Sequence, residues 1–459
     1  MPLLASVSGI RGVFGDGLDP AVLVRYASAF AGWVRQRAEG TPLVVVGRDG
    51  RDTGDVCARI VIATLQSCGC DVVDGGLATT PTVAMGVLKH EADGAIILSA
   101  SHNPAPWNAL KLLSGTSEFL SPDEGAEVLE LAEAGPESFT VPHDRVGAYR
   151  QDDLLPYHID KILGLELIDP EIIRAADFSV VVDGINSVGA FAIPALLERL
   201  GVTKVEVLNG EVTGDFAHNP EPLPHNLTDI TARVAASGAD LGIAVDPDAD
   251  RLAFVENGGR FFGEELTQVV AADFVLGKTP GPIATNLSSS RAMDDVAEMH
   301  GQTCARSAVG EINVVREMHR IGAVVGGEGA GGVILPDLHH GRDALVGTAL
   351  TLQYLAETGQ TLRDVRERYP AYEIAKHKLP IDGLDADALL ARLAERYDGA
   401  EGVRVSTVDG VKVDLPEGWV HVRKSNTEPI VRVYAEATSA DEANALAERF
   451  KAELVEGTA

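Results

Sequence analysis

The sequence has little that would support a disulfide-bonded or membrane-embedded protein. Its four cysteines, Cys57, Cys68, Cys70 and Cys304, are too few and too irregularly spaced for a disulfide framework or a zinc ribbon. No stretch reaches the roughly 18 uninterrupted apolar residues of a membrane-spanning helix, and the N-terminus lacks a basic start followed by an apolar run. With 45% apolar and 23% charged residues, the composition predicts a folded cytoplasmic protein with reduced thiols.

Basic residues are also scarce. The 38 lysines and arginines face 68 aspartates and glutamates, which gives a formal net charge of −30. Proteins that bind nucleic acid or anionic membranes use clustered lysine and arginine, so neither partner is expected. The acidic residues are scattered along the chain, which is compatible with solvation in high salt and equally with an ordinary acidic enzyme.

Short apolar runs alternate with helical patterns through most of the 459 residues. The pattern predicts strands at 43–46, 71–73, 94–98, 179–183, 204–208, 240–245, 281–285 and 323–325, with helices over 55–66, 188–200 and 290–299. Such alternation indicates several α/β units in series, each built around a buried sheet.

The pattern changes near residue 370. It predicts helices over 385–397 and 440–454, strands at 402–406, 419–423 and 430–437, and a turn region at 408–413. Strands followed by a terminal helix are typical of a smaller α+β domain. We therefore predict four domains, at residues 1–150, 151–252, 253–367 and 368–459.

The first loop that could take part in a reaction is Ser99-Ala100-Ser101-His102-Asn103-Pro104, which directly follows a predicted strand. Ligands gather at strand ends in α/β domains. The loop could be a plain turn, because serine and Asn-Pro close turns by local hydrogen bonds. The functional interpretation is that Ser101 is a nucleophile that becomes phosphorylated, which requires a base and a nearby cation.

The second loop, Asp246-Pro247-Asp248-Ala249-Asp250-Arg251, could supply that cation. Three carboxylates at alternate positions can converge on one ion, and hard oxygen ligands without thiol or imidazole favour Mg²⁺. A calcium EF-hand is excluded, because its required Gly and Glu are replaced by Arg251 and Asn257. The alternative is a solvated acidic turn. Beside a bound ion, Arg251 could contact a phosphoryl group.

The third loop is glycine-rich and spans Gly326 to Gly332, with Gly327, Glu328 and Gly329 in its first half. It lacks the lysine of a nucleotide P-loop and the spacing of a dinucleotide fingerprint. Glycines allow close approach of the backbone, and Glu328 can accept two hydrogen bonds from vicinal sugar hydroxyls. The alternative is a glycine-rich turn with an incidental glutamate.

The fourth loop, Arg423-Lys424-Ser425-Asn426-Thr427-Glu428-Pro429, lies between two predicted strands, and Arg432 follows it. In so acidic a chain this cluster of basic and hydroxyl side chains is a local exception. Arginine forks together with hydroxyl or backbone donors suit a phosphate dianion. A polar hairpin turn is the alternative.

Taken together and in this order, the four loops resemble the motifs of the α-D-phosphohexomutase family. They resemble its phosphoserine loop, its DxDxDR magnesium loop, the start of its sugar-selecting loop and its terminal phosphate-binding loop. Arg11, in Ser8-Gly9-Ile10-Arg11-Gly12, and Lys111 with Asn108 resemble two further family motifs. The resemblance covers essentially the whole chain. It implies an α/β fold of four domains around a central cleft, in which three similar units with mixed sheets precede a C-terminal α+β domain.

The resemblance also implies a chemistry, namely transfer of a phosphoryl group between the 1- and 6-positions of a hexose through a bisphosphosugar. Ser101 would carry the phosphoryl group, with His102, Lys111 and Arg11 as further catalytic residues. Mg²⁺ would be held by Asp246, Asp248, Asp250 and the Ser101 oxygen. The substrate would be bound by Arg251, Gly327, Glu328, Gly329, Arg423, Ser425, Asn426, Thr427 and Arg432. The cleft would be positive, with Lys424 among its cations.

Departures from the family pattern concern the sugar. Ala330 and Gly332 stand where members often have Ser and His, and Asn426 stands where Gly is common. The segment Leu338 to Asp343 could supply the missing polar groups, or it could be a plain loop. The loop forms resemble most the prokaryotic phosphoglucosamine mutase branch, which implies glucosamine phosphate as substrate. The alternatives are a phosphoglucomutase/phosphomannomutase of broad range and, more remotely, a non-catalytic sugar-phosphate sensor. Small hexose phosphates are the expected partners of a monomer or homodimer.

Overall fold

The computed structural model describes residues 3–6, 9–381, 385–424 and 430–456. Within these ranges the chain forms four β-sheets, each with its own helices. No helix in the described ranges is long and apolar enough to cross a membrane.

The first unit contains an eight-stranded mixed sheet. Its strands are β1 (Leu4–Ser6), β2 (Gly9–Phe14), β3 (Gly17–Leu18), β4 (Leu43–Arg48), β5 (Asp71–Leu77), β6 (Gly94–Leu98), β7 (Trp107–Ser114) and β8 (Tyr149–Gln151). Its helices are α1 (Pro20–Arg35), α2 (Gly54–Ser67), α3 (Thr80–His90) and α4 (Pro122–Ala132), with 3₁₀ turns at Pro136–Ser138 and His143–Arg145. The strand order is β1-β2-β7-β6-β4-β5-β8, with β3 beside β2. Strands β5, β4 and β6 are parallel, and β7 returns antiparallel to β6.

The second unit is a four-stranded sheet in the order β10-β9-β11-β12. Its strands are β9 (Ser179–Asp183), β10 (Lys204–Leu208), β11 (Leu241–Val245) and β12 (Leu252–Glu256), and its helices are α5 (Leu155–Leu163), α6 (Pro170–Ala175), α7 (Gly189–Arg199) and α8 (Thr228–Ser237). The first three strands are parallel, and β12 pairs antiparallel with β11. This hairpin carries the sheet past the unit boundary expected at residue 252.

The third unit repeats that topology in the order β14-β13-β15-β16. Its strands are β13 (Ile283–Asn286), β14 (Cys304–Ser307), β15 (Val325–Glu328) and β16 (Gly332–Ile334). Its helices are α9 (Glu264–Lys278), α10 (Ala292–Met299), α11 (Glu311–Ile321), α12 (Ala344–Thr358) and α13 (Leu362–Arg366). As in the second unit, the last strand forms an antiparallel hairpin with the third. In each of the three α/β units, the last of the central parallel strands therefore forms an antiparallel hairpin with the strand that follows it.

The fourth unit is an α+β domain with a five-stranded antiparallel sheet. Its strands are β17 (Glu373–Pro380), β18 (Arg404–Ser406), β19 (Val411–Leu415), β20 (Gly418–Lys424) and β21 (Ile430–Ala437), and its helices are α14 (Ala386–Tyr397) and α15 (Ala440–Val455). The strand order is β17-β21-β20-β19-β18. The turn region predicted at 408–413 was wrong in its second half, where Val411 begins β19. The fold class predicted from the sequence is confirmed, with three similar α/β units and a C-terminal α+β domain.

The hydrophobic cores show how the units are joined. One continuous core runs through the second and third units, and Met85 of the first unit packs into it. The first sheet has a separate core on each face, and the fourth unit has its own. The fourth unit meets the third through polar contacts, among them Ser288 Oγ to His421 Nδ1 at 2.8 Å and Val309 N to Asp409 Oδ2 at 3.0 Å. The first three units thus form the frame that positions the site.

Candidate active site

The three hairpin turns converge at one place. They are the Ser101 loop (Ser99–Pro106) between β6 and β7, the acidic loop (Asp246–Arg251) between β11 and β12, and the glycine loop (Gly329–Gly331) between β15 and β16. Ser101 Oγ lies 2.6 Å from Asp246 Oδ2. Leu252, the first residue after the acidic loop, donates its N–H to Gly331 O of the glycine loop at 3.0 Å. Each loop is the hairpin turn of its own unit. The repeated topology therefore brings the serine, the carboxylates and the glycine-rich backbone together.

A cleft of about 640 Å³ opens over these loops, and all four units contribute to its walls. Eight basic and four acidic side chains are among the described residues that line it. The basic ones are Arg11, Lys111, Arg251, Arg342, Lys376, Lys378, Arg423 and Arg432. The cleft is therefore locally rich in cations although the chain carries a net charge of −30.

Ser101 is held in an unusual backbone conformation. Its φ is 48°, in the left-handed region that residues other than glycine seldom occupy. Its side chain is largely buried and donates to Asp246 at 2.6 Å. Backbone strain of this kind costs about 1–3 kcal/mol and persists where surrounding contacts enforce it. The enforced geometry directs the hydroxyl towards the acidic loop.

The group that enforces this conformation is Arg51, which the sequence motifs did not reveal. Its guanidinium is fully buried and pairs with Asp49 at 3.0 Å. It donates to five backbone carbonyls of the Ser101 loop and its edge, those of Ser101 (2.6 Å), Asn103 (2.7 Å), Pro104 (2.7 Å), Trp107 (2.9 Å) and, at a longer 3.4 Å, Ala105. A planar fork with five N–H donors suits this task, and no other side chain offers that number. The sequence signal that could have indicated this role of Arg51 is the polar pair Asp49 and Arg51, which directly follows the apolar strand β4.

Replacement of Arg51 by lysine is expected to lower the free energy of unfolding by about 2–3 kcal/mol. Lysine keeps the charge but loses the fork, and each hydrogen bond to a charged group is worth about 1.5–3 kcal/mol. Urea unfolding would measure the loss, and hydrogen exchange would show faster opening of the Ser101 loop. The matched control is Arg59→Lys on the exposed face of α2, expected within about 0.5 kcal/mol of the wild type. Unchanged exchange in the Ser101 loop would contradict this role.

His102 follows Ser101 and lies at the cleft wall, with Nδ1 3.4 Å from Ser101 Oγ. Burial, reinforced by the charge of Arg251, lowers the pKa of His102 to about 2. Its imidazole is therefore neutral at physiological pH.

The three aspartates of the acidic loop form a buried cluster. Their carboxylate oxygens lie within 4.8 Å of one another, and all three side chains are fully buried. Burial and the charges of Asp250 and Asp248 raise the pKa of Asp246 well above its usual range. Asp248 Oδ1 and Asp250 Oδ1 have no hydrogen-bond partner among the described residues. Buried carboxylate oxygens without partners fit a hard divalent cation, so the cluster is able to bind a metal ion.

Lys111 reaches the same cluster from β7. Its Nζ lies 2.5 Å from Asp248 Oδ2 and 3.3 Å from Asp250 Oδ2. Burial disfavours the ammonium, but the two carboxylates outweigh it and hold the pKa of Lys111 above its ordinary value. Thr80 holds Asp248 from the other side, through its hydroxyl at 2.5 Å and its backbone N–H. Lys111 is thus a fixed positive charge between the Ser101 loop and the acidic loop.

Glu328 is already oriented by three donors. Its Oε1 accepts from Asn286 Nδ2 at 2.9 Å and from Gly310 N at 3.0 Å, and its Oε2 accepts from Arg342 Nη1 at 3.1 Å. A carboxylate offers about four lone-pair sites, so accepting capacity remains on the side that faces the cleft. Gly327 is required beneath it, because a Cβ there would lie 2.2 Å from Gly332 O.

Arg342 ties the glycine loop to the acidic loop. Its guanidinium contacts Asp250 at 2.7 Å, Glu311 at 3.0 Å and Glu328 at 3.1 Å. A Cβ at Gly332 would lie 2.2 Å from Arg342 Cδ, so the arginine occupies the space into which a side chain at 332 would project. The neighbouring Asp343 caps α12 and accepts from His158 at 2.9 Å. The structure therefore places a polar group from the segment 338–343 where the glycine loop lacks one.

The remaining predicted residues lie mostly where the cleft meets the fourth unit. Arg423 and Arg432 are cross-strand partners on β20 and β21 and both line the cleft. Arg423 Nη1 contacts Asp409 at 3.0 Å. Lys424, expected in the cleft, instead pairs with Asp387 at 2.9 Å at the surface. The predicted residues Ser425, Asn426 and Thr427 lie outside the described residues.

Three further predicted residues lie in the cleft wall. Arg11, on β2, lines the cleft, and burial together with Arg251 lowers the pKa of its guanidinium. Arg251 lies 3.6 Å from Glu221 at the cleft edge. Gly329 also lines the cleft and donates its N–H to Ser289 Oγ at 3.0 Å.

Other cleft residues were missed from sequence. Lys376, Lys378 and Tyr434 come from β17 and β21, at alternate positions on the strand face towards the cleft. Glu265, near the start of α9, lines the cleft too, and burial raises its pKa to about 7. Strand alternation was the only signal for the first three, and only tertiary packing identifies Glu265.

Comparisons with known proteins agree with this arrangement. Sequence models of the four domains of phosphoglucomutase/phosphomannomutase match residues 3–138, 156–259, 263–372 and 381–453. A phosphoglucomutase/phosphomannomutase of Thermococcus kodakarensis is 36% identical over 446 residues, 96% of each chain. A probable phosphoglucosamine mutase of Methanopyrus kandleri is 34% identical over 451 residues, again 96% of each. The crystal structure of a family protein from Burkholderia thailandensis superposes with a TM-score of 0.84 at 27% identity, covering 99% of this chain and 98% of that one.

Proposed function

The chain belongs to the phosphoglucomutase/phosphomannomutase family and is a phosphohexomutase, and on this premise we propose that it interconverts glucosamine 6-phosphate and glucosamine 1-phosphate through a phosphorylated Ser101. The observation that carries the mechanism is the 2.6 Å contact between Ser101 Oγ and Asp246 at the floor of a cation-lined cleft. A hydroxyl held in this way has both the anchor and the positive surroundings that a phosphoserine needs.

The reaction consists of two phosphoryl transfers, one from Ser101 to the sugar and one from the sugar to Ser101. Phospho-Ser101 donates its phosphoryl group to the free hydroxyl of a hexose monophosphate. The P–O bond to Ser101 Oγ breaks and one to the sugar oxygen forms; the sugar hydroxyl loses its proton, and Ser101 Oγ takes one up. The resulting 1,6-bisphosphosugar turns over in the cleft. In the second transfer the bond between the sugar and its other phosphoryl group breaks, and that group passes to Ser101. Ser101 Oγ loses its proton as the new bond forms, and the freed sugar oxygen takes one up. The neighbouring Lys111 and Arg11 supply fixed positive charge to the phosphoryl oxygens.

Magnesium is the ion we assign to the acidic loop. Asp246, Asp248 and Asp250, together with an oxygen of phospho-Ser101, would hold it, because an all-oxygen donor set suits a hard cation. When bound, Mg²⁺ supplies charge neutralisation to the phosphoryl group in transfer. Arg251, the last residue of the loop and part of the cleft lining, would contact the same group.

The phosphate that does not react would be held at the opposite wall. Arg423 and Arg432 from adjacent strands provide paired guanidinium groups, with Lys376 and Lys378 nearby in the cleft lining. Ser425, Asn426 and Thr427 are assigned to this phosphate by the motif alone. Glu328 between the two walls would accept hydrogen bonds from the sugar hydroxyls. Because the non-reacting phosphate is held at the wall opposite Ser101, this one serine could exchange a phosphoryl group with either end of the hexose.

The choice of sugar is supported by the loop forms and by the Methanopyrus relative named a probable phosphoglucosamine mutase. The Thermococcus relative, named a phosphoglucomutase/phosphomannomutase, favours a broad range instead. Initial rates with Mg²⁺ and the matching 1,6-bisphosphate would be compared for glucosamine 6-phosphate, glucose 1-phosphate and mannose 1-phosphate. We expect kcat/KM to be at least about 10-fold higher for glucosamine phosphate, as one optimised polar contact can provide. Equal or faster turnover of glucose or mannose phosphate would overturn the sugar assignment and leave the mutase chemistry standing.

A further inference from the structure

Two histidines and a glutamate from different units meet outside the active cleft. Glu118 lies between β7 and α4 of the first unit, His319 lies in α11, and His340 lies between β16 and α12 of the third unit. His319 Nε2 is 2.8 Å from Glu118 Oε1, and His340 Nδ1 is 3.6 Å from the same oxygen. We propose that this His319–His340–Glu118 cluster binds a divalent transition-metal ion such as Zn²⁺ and so links the first and third units.

The distances suit such an ion. Zinc bonds of about 2.0–2.1 Å in tetrahedral geometry place neighbouring ligand atoms about 3.3 Å apart. The two measured separations lie on either side of that value, and all three ligand atoms lie within 4.8 Å of one another. Two imidazoles and one carboxylate form a borderline donor set that favours Zn²⁺, Co²⁺ or Ni²⁺ over Mg²⁺. The cluster is therefore chemically distinct from the all-oxygen acidic loop.

A simple ion pair accounts for only part of the arrangement. The bond between His319 and Glu118 is a complete pair by itself, yet the ring of His340 lies against that of His319, with centroids 4.1 Å apart. Two protonated imidazoles would repel each other at this distance. A shared divalent cation accounts for both rings beside one carboxylate, because imidazoles bind a metal ion in their neutral form.

The structure also leaves room for a further ligand. A cavity of about 290 Å³ lies between the two units, and Glu118 and His340 form part of its wall. Ser114, Thr116, Glu124 and Arg316 also line it, so a water molecule or small anion could complete the coordination. This cavity shares Phe119, Glu311 and Ile312 with the active cleft. An ion here would fix the relative position of two cleft walls without touching the reacting groups.

The test uses the whole chain, freed of metal by chelation and then kept in saturating Mg²⁺, which under the proposed function would occupy the acidic loop. Titration with Zn²⁺ by calorimetry, and with Co²⁺ by visible absorption, should show one equivalent bound by nitrogen and oxygen ligands. Glu118→Gln, His319→Gln and His340→Gln should each weaken binding at least about 10-fold, since even loss of a supporting partner costs 10–100-fold. His143→Gln, at an exposed histidine of the first unit, is the matched control and should bind like the wild type.

A second readout separates binding from folding. Zn²⁺ should raise the thermal unfolding midpoint of the wild type and of His143→Gln, and not that of the three cluster variants. Transition-metal affinity that survives all three cluster substitutions would overturn the proposal. So would affinity that disappears instead in His158→Gln, which would place the ion in the buried His158–His339–Asp343 group, or in Asp248→Asn, which would place it in the acidic loop.

Discussion

Replacement of Ser101 by alanine is expected to lower kcat about 10³-fold or more, since removal of a hydroxyl nucleophile can cost about 10⁶-fold. The substitution deletes the atom that would carry the phosphoryl group, and no other cleft hydroxyl shares its 2.6 Å contact with Asp246 among the described residues. A 1,6-bisphosphate activator should not restore turnover, because the variant has no Ser101 that the activator could phosphorylate. Coupled assays with and without activator would measure both effects.

Intact-mass measurement tests the phosphoserine mechanism independently of turnover. Wild-type protein incubated with the bisphosphate should gain one phosphoryl group, and Ser101→Ala should gain none. Ser138→Ala, at an exposed serine of the first unit, should behave as the wild type in both assays. Turnover of Ser101→Ala near the wild-type rate would contradict the phosphoserine mechanism.

Unfolding should not explain the loss of activity. The Ser101 hydroxyl contacts Asp246 Oδ2 at 2.6 Å and His102 Nδ1 at a long 3.4 Å, and a hydrogen bond is worth about 1 kcal/mol net. The backbone that holds it is fixed by Arg51 through carbonyls that the substitution leaves in place. The alanine variant should therefore unfold within about 1–2 kcal/mol of the wild type.

Local pattern predicted about half of the strands and about a third of the helices in the described residues. Strands at 179–183, 204–208 and 430–437 were expected at the observed bounds, because apolar runs between turn residues are a direct signal of buried strands. The turn region at 408–413 failed where β19 begins. Lys412 interrupts the apolar pattern of that strand, yet it is buried, with Nζ 4.5 Å from the centre of the Trp419 ring. Burial of this kind comes from packing between strands and units, which the local sequence does not contain.

The candidate site likewise contains residues that local motifs predicted and residues that only the folded structure identified. The Ser101 loop and the acidic loop were predicted because each is a compact motif after an apolar strand, and the structure places them in contact. Arg51 and Arg342 lie far from these motifs in sequence, and their roles depend on acceptors that only the folded chain assembles. Glu265 likewise has its raised pKa because of burial. Sequence thus identified the groups assigned to the chemistry, whereas the groups that hold them in place required the structure.

Arg342→Met tests the supporting group that contacts three carboxylates at once. Asp250, Glu311 and Glu328 share its guanidinium, so the substitution leaves three buried carboxylates without their common partner. Breaking a buried ion pair from one side costs about 3–5 kcal/mol, and we expect a loss of that size in the free energy of unfolding. Turnover should fall about 10²-fold in the protein that remains folded, because the acidic loop and Glu328 lose their shared anchor and a displacement of about 1 Å can cost that much.

Two controls separate charge from geometry. Arg342→Lys keeps one positive charge but not the fork, so its stability and turnover should lie between those of Arg342→Met and the wild type. Arg320→Met removes an exposed arginine of the same unit whose partner is Glu317, and it should change stability by no more than about 0.5 kcal/mol. If Arg342→Met kept wild-type turnover, the link between Asp250 and Glu328 would have no part in the reaction. If it kept wild-type stability, the three carboxylates would have another source of compensation, and a bound cation would be the first to examine.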